Sequence, residues 1–328
     1  MEERIEGKIV DITPLFERAK IKTGKLTIIE TDGMYPYKPK IEDNWAYFTA
    51  VGMKHLKTLF DKEGKKIESG GIVGICSGVE AIALKFIFKD DLKHMIVTDV
   101  DGDILKGTMH NLNNTVKDSK MKITPLVGSF CEPIEKNGSF VDFVHANIPN
   151  LPSTGEEDLT KGAEKGTFLD SSLYNKYNPP EKFIKWAMGA QYAYIKSARK
   201  VLKKGGSIIT ELGGRVPLDL VKELFTECGL RMEEVIVGFK EQTEALIDFR
   251  GYGRFEEEYG VSFEFYLYNE SKELIEENKI ENPSLVMKGD ELKKLLEPHK
   301  VSSLKALELH RRGVAVGHTV HLFRGVKI

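Results

Sequence analysis

The 328-residue sequence predicts an α/β protein with a largely parallel sheet. Its middle part alternates short β-rich runs with stretches of helical periodicity, which is typical of strand–helix–strand units. Apolar residues make up 41% of the chain and charged residues 30%, so a globular core is expected and a disordered chain is excluded. Lys and Arg number 48 against 50 Asp and Glu, which excludes a globally basic nucleic-acid-binding protein.

Seven runs have the composition of strands. They lie at 71–75, 95–100, 122–127, 141–147, 207–212, 233–239 and 261–268. Helical periodicity predicts intervening helices at 78–90, 103–117, 181–203 and 217–228. The helix at 181–203 has the most regular pattern, because its apolar residues recur every three or four positions until two glycines at 205–206 end it.

The segments on either side of this core are predicted to be additions to it. Residues 1–44 form an N-terminal extension, residues 45–269 the main domain and residues 270–328 a C-terminal addition. Their predicted elements are a strand near 25–30, a helix at 43–60, helices at 270–279 and 290–296, and a strand near 315–323. The polar segment 151–180 contains Gly and Pro and has little periodicity, so we expect a lid or a substrate-binding loop there.

The cysteine pattern and the hydropathy pattern predict a cytoplasmic protein without a membrane span. No run approaches eighteen consecutive apolar residues, and the N-terminus lacks an apolar leader. Cys76, Cys131 and Cys228 are scattered without CxxC spacing, which favours a reducing compartment and argues against disulfides and structural zinc. His318 and His321 lie three apart on a predicted strand and so face opposite sides, which argues against a metal site.

The first informative segment, 72–81, predicts a strand, a tight turn with glycines and the start of a helix. The turn consists of Gly74, Cys76, Ser77 and Gly78 together with the residue at 75, and the free N–H groups of such a turn favour a phosphate or a carboxylate. A purely structural turn is the alternative. The dinucleotide-binding fingerprint is excluded, because Cys76 stands where that fingerprint needs a glycine.

The next predicted strand ends in Asp99-Val100-Asp101, about twenty residues after the turn. A carboxylate at this place accepts hydrogen bonds from the two hydroxyl groups of a ribose in nucleotide-binding α/β folds. The alternative is that Asp101 and Asp103 only cap the following helix. We expect both uses, with Asp99 at a ribose and Asp103 as the cap.

Four segments in this order resemble class I S-adenosylmethionine (SAM)-dependent methyltransferases. Their sequences are GICSG at 74–78, VGSFCEPI at 127–134, VDFVHANIPNLP at 141–152 and LKKGGSIITELG at 202–213. They are most similar to the protein-(glutamine-N5) methyltransferases and related N-methyltransferases with an Asn-Pro-Pro-Tyr motif, over about residues 70–240. The resemblance implies a doubly wound, mostly parallel seven-stranded sheet and SAM as the cofactor.

The resemblance also assigns residues to the cofactor. These are Gly74, Cys76, Ser77, Gly78, Asp99, Val100, Ser129, Phe130 and Asn147. Three positions depart from the family pattern: Ile72 replaces an acidic residue that helps to hold the methionine amino group, Cys76 replaces a glycine, and Ser129 replaces an aspartate that binds the adenine amino group. We expect Cys76 to narrow the pocket or to send the loop along another path.

Asn147-Ile148-Pro149-Asn150 resembles the catalytic motif of these N-methyltransferases. The resemblance implies that the Asn147 side-chain oxygen and the Ile148 backbone carbonyl accept hydrogen bonds from the N–H groups of the attacking nitrogen, while Pro149 fixes the turn. The family's fourth residue is aromatic and stacks on a planar substrate, but Asn150 is not aromatic. A strand-to-loop turn without a catalytic role is the alternative.

The substrate side of the pocket has several candidates. Because Asn150 cannot stack, either an aromatic residue of the 151–180 loop replaces it, namely Phe168, Tyr174 or Tyr177, or the substrate is more polar. Glu211 is predicted to form a polar wall of the substrate pocket, with a capping or salt-bridge role as its alternative. His145 is either a base or a satisfied core residue.

The sequence therefore predicts a SAM-dependent methyltransferase that acts on a nitrogen of a small molecule or a protein side chain. Two alternatives stay open: a non-catalytic SAM-binding protein on this scaffold, and transfer of an alkyl group to oxygen or carbon. The basic stretches at 38–40, 54–66 and 310–312 lack an aromatic ladder, so they give little support for nucleic-acid binding. No pattern predicts an oligomeric state.

Overall fold

The computed structural model describes residues 5–115, 120–160, 162–242 and 245–327. The described strands are β1 (Lys8–Asp11), β2 (Thr27–Glu30), β3 (Ser69–Val73), β4 (His94–Asp99), β5 (Lys122–Val127), β6 (Val141–Ala146), β7 (Leu202–Gly213), β8 (Leu230–Glu241), β9 (Phe265–Leu267), β10 (Lys300–Val301) and β11 (Val316–Lys327). The described helices are α1 (Thr13–Arg18), α2 (Trp45–Lys62), α3 (Val79–Phe88), α4 (Gly102–Thr115), α5 (Glu132–Lys136), α6 (Gly162–Thr167), α7 (Ser172–Asn175), α8 (Glu181–Ile184), α9 (Gly189–Ala198), α10 (Leu218–Glu227), α11 (Ala245–Tyr259), α12 (Tyr268–Glu277), α13 (Gly289–Leu296) and α14 (Ser303–Arg311).

The main sheet is mostly parallel, as predicted. Strands β5, β4, β3, β6 and β7 lie side by side in this order and pair in parallel. Strand β11 follows β7 in the antiparallel sense, and β8 pairs antiparallel with the other edge of β11. Parallel neighbours need crossover connections, and the helices that make them lie on the sheet faces. The α/β, doubly wound fold class is confirmed.

The strand count differs from the predicted seven, because the main sheet has nine strands in the described residues. Strand β7 ends at Gly213, opposite Val320, while β11 begins at Val316. The first residues of β11 therefore leave an open edge, and β9 pairs with it and with β10. The predicted strand at 261–268 is correspondingly reduced to the three residues of β9.

The sheet separates two apolar cores, since alternate residues of a strand point to opposite faces. In β7, Ile208 packs with helices α5, α9 and α10, whereas Ile209 packs with α1, α2, α3 and α4. In β6, Val144 and Phe143 divide in the same way. Burial on both faces explains why these strands read as nearly continuous apolar runs.

The prediction of one continuous helix at 181–203 is wrong, because the helix is interrupted in its middle and ends at Ala198. The chain forms α8 and α9 instead, and the break lies at Ala187, which has a φ of 55°. The N–H of Met188 donates to the Phe183 carbonyl (2.8 Å), which ends α8. A side chain at Gly189 would lie 2.9 Å from the Tyr174 ring, so α9 begins at a close contact with α7. The apolar periodicity runs through both pieces because both face the same core.

Both predicted additions contribute to the structure around the main sheet. Helix α1 packs in the core on the α2 side, and β11 lies in the sheet between β7 and β8. The division of the chain at 44 and 269 stays a prediction. None of the helices in the described residues combines the length and apolar character that crossing a bilayer requires.

The packing of α2 on β11 predicts the effect of one substitution. A Cβ at Gly52 would overlap Leu322 Cδ2 and lie 3.3 Å from Ile236 Cδ1, and both neighbours are buried. Alanine is the better helix former, but overpacking costs about 1–3 kcal/mol, so we expect Gly52→Ala to lower the free energy of unfolding by about 1–2 kcal/mol in urea titrations.

Gly24→Ala is the control, since no atom lies within 4 Å of the added carbon. Its free energy of unfolding should stay within about 0.5 kcal/mol of the wild type. A Gly52→Ala protein as stable as the wild type would contradict the packing of β11 beneath α2.

Candidate functional site

A cavity of about 470 Å³ opens at the carboxyl ends of the parallel strands. Residues that follow β3, β4, β5, β6 and β7 form its floor and walls, and residues from 33–46 and 148–173 close it. This is the edge at which open α/β sheets bind ligands. Its size lies within the range of pockets that hold small molecules and cofactors.

The turn after β3 has three residues in the left-handed region. Gly74, Cys76 and Gly78 have φ angles of 66°, 49° and 87°. A Cβ at Gly74 would meet nothing within 4 Å, so glycine is favoured there by its backbone angle and not by lack of space. Gly78 is the N-terminal cap residue of α3 and does not itself line the cavity. The turn brings the residues at 74–77 into the cavity wall.

Cys76 ties this turn to the N-terminal part of the chain. Its Sγ accepts a hydrogen bond from the backbone N–H of Tyr35 (3.2 Å), and its carbonyl accepts one from the Thr108 hydroxyl. Burial raises the pKa of the Cys76 thiol to about 12. The thiol therefore stays protonated at neutral pH and is a poor nucleophile.

Asp99 ends β4 and lines the cavity as a buried carboxylate. Its Oδ2 accepts a hydrogen bond from the Cys76 N–H (3.3 Å) and its Oδ1 accepts one from the Asp101 N–H (3.1 Å). Burial raises the pKa of Asp99 above its usual value. The carboxylate is thus fixed in place, and further hydrogen-bond donors would stabilise its charged form.

The cap of α4 is Asp101, so the expectation that Asp103 serves as the cap is wrong. Asp101 Oδ1 accepts from the N–H groups of Asp103 (2.8 Å) and Ile104 (3.1 Å). The Asp103 side chain is 88% exposed and pairs with Lys106. Because Asp101 directly precedes the helix, its side chain reaches the free N–H groups and that of Asp103 does not.

Val100, Ser129 and Phe130, which were predicted to bind the cofactor, line the same wall. Val100 is 47% exposed, and Phe130 is buried with its ring edge-on to Tyr177. Ser129 Oγ accepts a hydrogen bond from Lys176 Nζ (3.1 Å). An apolar surface with a hydroxyl at its rim suits a flat heterocycle.

Asn147 follows β6 and lines the cavity, and its amide has no hydrogen-bond partner in the part of the chain that the structure describes. Ile148 and Pro149 line the cavity as well. The Ile148 carbonyl accepts a hydrogen bond from Gln191 Nε2 (2.6 Å), which uses one of its two lone pairs. Both predicted acceptors therefore retain acceptor capacity at the cavity wall.

Asn150 is held by the protein. Its Oδ1 accepts a hydrogen bond from Arg215 Nη2 (2.9 Å), and its Nδ2 donates to the Gly213 carbonyl (3.3 Å). Of the aromatic candidates in the 151–180 loop, Phe168 lines the cavity, whereas Tyr174 packs against α9 outside it. The loop thus supplies one aromatic side chain to the cavity wall, and Tyr35, Tyr37, Trp45 and Phe130 from other segments line it as well.

Glu211 lies behind the cavity in a buried polar cluster and does not line it. Its Oε2 accepts a hydrogen bond from the Thr49 hydroxyl (2.7 Å). Glu80 does line the cavity, and its Oε2 is 2.7 Å from His145 Nε2. Burial and the nearby Glu80 charge raise the pKa of Glu211 well above its usual value. His145 Nδ1 and Glu211 Oε1 have no hydrogen-bond partner in the described part of the chain.

Several cavity residues were missed by the sequence analysis. Glu80 lay inside a recognised segment but received no role, and Lys38, Trp45 and Gln242 belong to parts without a motif. Arg215 had only one local signal, the two glycines that precede it. In the described residues no group of three His, Cys, Asp or Glu side chains is arranged to hold a metal ion.

No protein-family model matches the sequence, and no curated protein matches it. A solved structure of a "putative RNA methyltransferase" from Pyrococcus horikoshii is similar at 11% identity and a TM-score of 0.42, over 97% of this chain and 99% of that one. The ribosomal protein L11 methylase from Lactobacillus delbrueckii subsp. bulgaricus is similar at 14% identity and a TM-score of 0.37, over 66% of this chain and 89% of that one.

The precorrin-6y C5,15-methyltransferase from Geobacter metallireducens is similar at 12% identity and a TM-score of 0.36, over 64% of this chain and 83% of that one. All three identities are far below 25% and all three TM-scores are below 0.5. These likenesses establish neither a family nor an activity for the chain.

The buried Glu211 carboxyl predicts a pH-dependent stability difference. Its pKa is raised in the folded protein, so ionisation costs more there than in the unfolded chain, and the folded protein loses stability as pH rises above the unfolded value of about 4.5. Glu211→Gln cannot ionise and retains an acceptor for Thr49. We expect its free energy of unfolding to exceed that of the wild type by an amount that grows between pH 5 and pH 8 in urea titrations.

Glu135→Gln is the control, since this carboxylate is exposed and pairs with Lys200 at the surface. Its difference from the wild type should stay nearly constant over the same pH range. A Glu211→Gln difference that shrinks with rising pH would contradict the raised pKa.

Proposed function

We propose that the chain is a SAM-dependent methyltransferase of the class I type that transfers a methyl group to a nitrogen atom of a small molecule or a protein side chain. The observation that carries the proposal is the Asn147 amide, which has no hydrogen-bond partner among the described residues and shares one cavity with the left-handed turn and the buried Asp99 carboxylate. Residues Asn147–Asn150 resemble the catalytic motif of the glutamine-N5 and related N-methyltransferases, but Asn150 stands where that motif ends in an aromatic residue.

The residues at the cavity fit an adenosyl cofactor. Asp99 would accept hydrogen bonds from the ribose hydroxyls, and Val100, Ser129 and Phe130 would surround the adenine. The acidic residue that the family places before the first glycine is Ile72 here, a buried strand residue. Glu80, at the start of α3, is one of the carboxylates of the cavity wall and would instead meet a positively charged amino group.

The chain's own contribution to the chemistry is to align the nucleophile. When bound, SAM supplies a methyl group that is already electrophilic. Asn147 Oδ1 and the Ile148 carbonyl would accept hydrogen bonds from the N–H groups of the attacking nitrogen and so stabilise the positive charge that develops on it. Holding the two reacting atoms in line can contribute up to about 7–11 kcal/mol in the best cases. The protonated Cys76 thiol does not compete for the methyl group.

Asn147 is the residue whose replacement tests this proposal. We expect calorimetry to give Asn147→Ala an affinity for S-adenosylhomocysteine within about threefold of that of the wild type, because the variant keeps Asp99 and the turn. Transfer of labelled methyl groups from SAM to acceptors in an extract of its native cells should fall by about two orders of magnitude, as the loss of one polarising acceptor predicts.

Asn114→Ala, on the exposed side of α4, serves as the control and should retain full transfer. Methyl transfer by Asn147→Ala at the wild-type rate would show that Asn147 takes no part in the reaction. Binding of S-adenosylhomocysteine without any transfer by the wild type would favour a non-catalytic binding protein, and analysis of the labelled product would separate nitrogen from oxygen and carbon acceptors.

A further inference from the structure

Arg215 is a buried arginine in the cavity wall, directly beyond the end of β7. It is only 2% exposed. Its Nη2 donates to Asn150 Oδ1 (2.9 Å), and its Nη1 donates to Gln242 Oε1 (2.6 Å) and to His318 Nε2 (3.2 Å). A guanidinium stays charged and has five N–H donors, and the buried Arg215 Nε–H has no hydrogen-bond partner among the described residues.

The partners of Arg215 carry no negative charge. Asn150 and Gln242 are amides. The Nδ1–H of His318 donates to the Thr319 carbonyl (2.8 Å), which leaves Nε2 as the acceptor for Arg215. Burial and the charges of Arg215 and Lys240 lower the pKa of His318 well below its usual value, so this imidazole is neutral.

The other large buried arginine in the described residues shows the contrast. Arg324 is also 2% exposed, but both of its terminal nitrogens bind Glu63, at 2.7 and 2.8 Å, and Glu233 lies 3.3 Å away. A buried charge is ordinarily paired in this way, because taking it out of water without a counter-charge is costly. Among the described residues no carboxylate pairs with Arg215, and its side chain lines the cavity.

The fold holds Arg215 in this position. A Cβ at Gly213 would overlap the Arg215 guanidinium, so the glycine provides the space into which the side chain folds back. The guanidinium lies 5.4 Å from the centre of the Tyr252 ring, and the Tyr252 hydroxyl donates to the Asn150 carbonyl (2.9 Å). The positive charge is therefore placed by several elements and is not a mobile surface group.

We propose that Arg215 binds an oxyanion of the substrate, a carboxylate or a phosphate, beside the Asn147 corner. The inference rests on the proposed methyltransferase function, because it assigns the anion to the molecule that presents its nitrogen to Asn147. Arg215 contacts Asn150, three residues beyond Asn147, and both line the cavity. The substrate would supply the counter-charge that Arg215 does not have among the described residues. Asn150 holds Arg215 at the position where the N-methyltransferases that the motif resembles have an aromatic ring.

Trp45 provides an optical probe for this site. Its ring stacks on His318 at 5.6 Å and lines the cavity, and Trp186 is the only other tryptophan of the chain. In a Trp186→Phe protein saturated with S-adenosylhomocysteine, Trp45 fluorescence is titrated with inorganic phosphate and, separately, with acetate, at constant ionic strength set by sodium chloride. The anion that binds more tightly identifies the oxyanion as phosphate or carboxylate.

We expect saturable binding of at least one of the two anions, weakened at least tenfold by Arg215→Gln and less by Arg215→Lys, which keeps the charge. Gly213→Ala should weaken it as well, because it displaces the guanidinium without removing it. Lys200→Gln removes a surface cation that pairs with Glu135, keeps Arg215 intact and should leave the anion affinity unchanged.

A fluorescence change that sodium chloride reproduces, or equal anion affinity in the wild type and Arg215→Lys and Arg215→Gln, would overturn the inference. S-adenosylhomocysteine affinity is measured on the same proteins. If an anion binds in an Arg215-dependent way but S-adenosylhomocysteine does not bind, the oxyanion site is supported and the proposed methyltransferase function is contradicted. If S-adenosylhomocysteine binds but neither anion does, only the oxyanion site is contradicted.

Discussion

The cavity depends on a backbone constraint at the turn between β3 and α3. Three residues there, at 74, 76 and 78, have positive φ angles, and the Cys76 N–H is thereby directed to the Asp99 carboxylate. Parallel strands end at the same edge of a sheet, so this turn fixes where the residues after β4, β5 and β6 can converge. The Cys76 thiol extends the constraint to the segment that carries Tyr35, which closes the cavity.

Charged side chains are distributed unevenly around the cavity. Glu80, Asp99 and Asp101 line the wall on the side of the turn, and Lys165 pairs with Asp101 there. A guanidinium lies on the other side, where Arg215 is held by neutral partners from β11 and from the chain after β8. Asn147 follows β6, the strand between the two sides. This separation suits a cationic cofactor on one side and an anionic substrate on the other, with the attacking nitrogen at the middle.

The features that local sequence determines were predicted well, and those that depend on distant contacts were not. Strand β6 was predicted to within one residue of its observed limits, because a buried strand leaves a nearly continuous apolar run in the sequence. The break at Ala187 left no local signal, since it follows from the contact of Gly189 with Tyr174. The role of Asn150 could not be foreseen, because its partner Arg215 lies 65 positions away in the sequence.

The most direct measurement of the central claim is a calorimetric titration of S-adenosylhomocysteine into the wild type, Asp99→Asn and Asp103→Asn. Asp99 and the exposed Asp103 undergo the same chemical change, but only Asp99 lines the cavity. Hydrogen bonds to charged groups are worth about 1.5–3 kcal/mol, so Asp99→Asn should weaken binding by about tenfold to a hundredfold while Asp103→Asn binds as the wild type does. No binding to the wild type at millimolar concentration, or equal affinity in all three proteins, would contradict a ribose at Asp99.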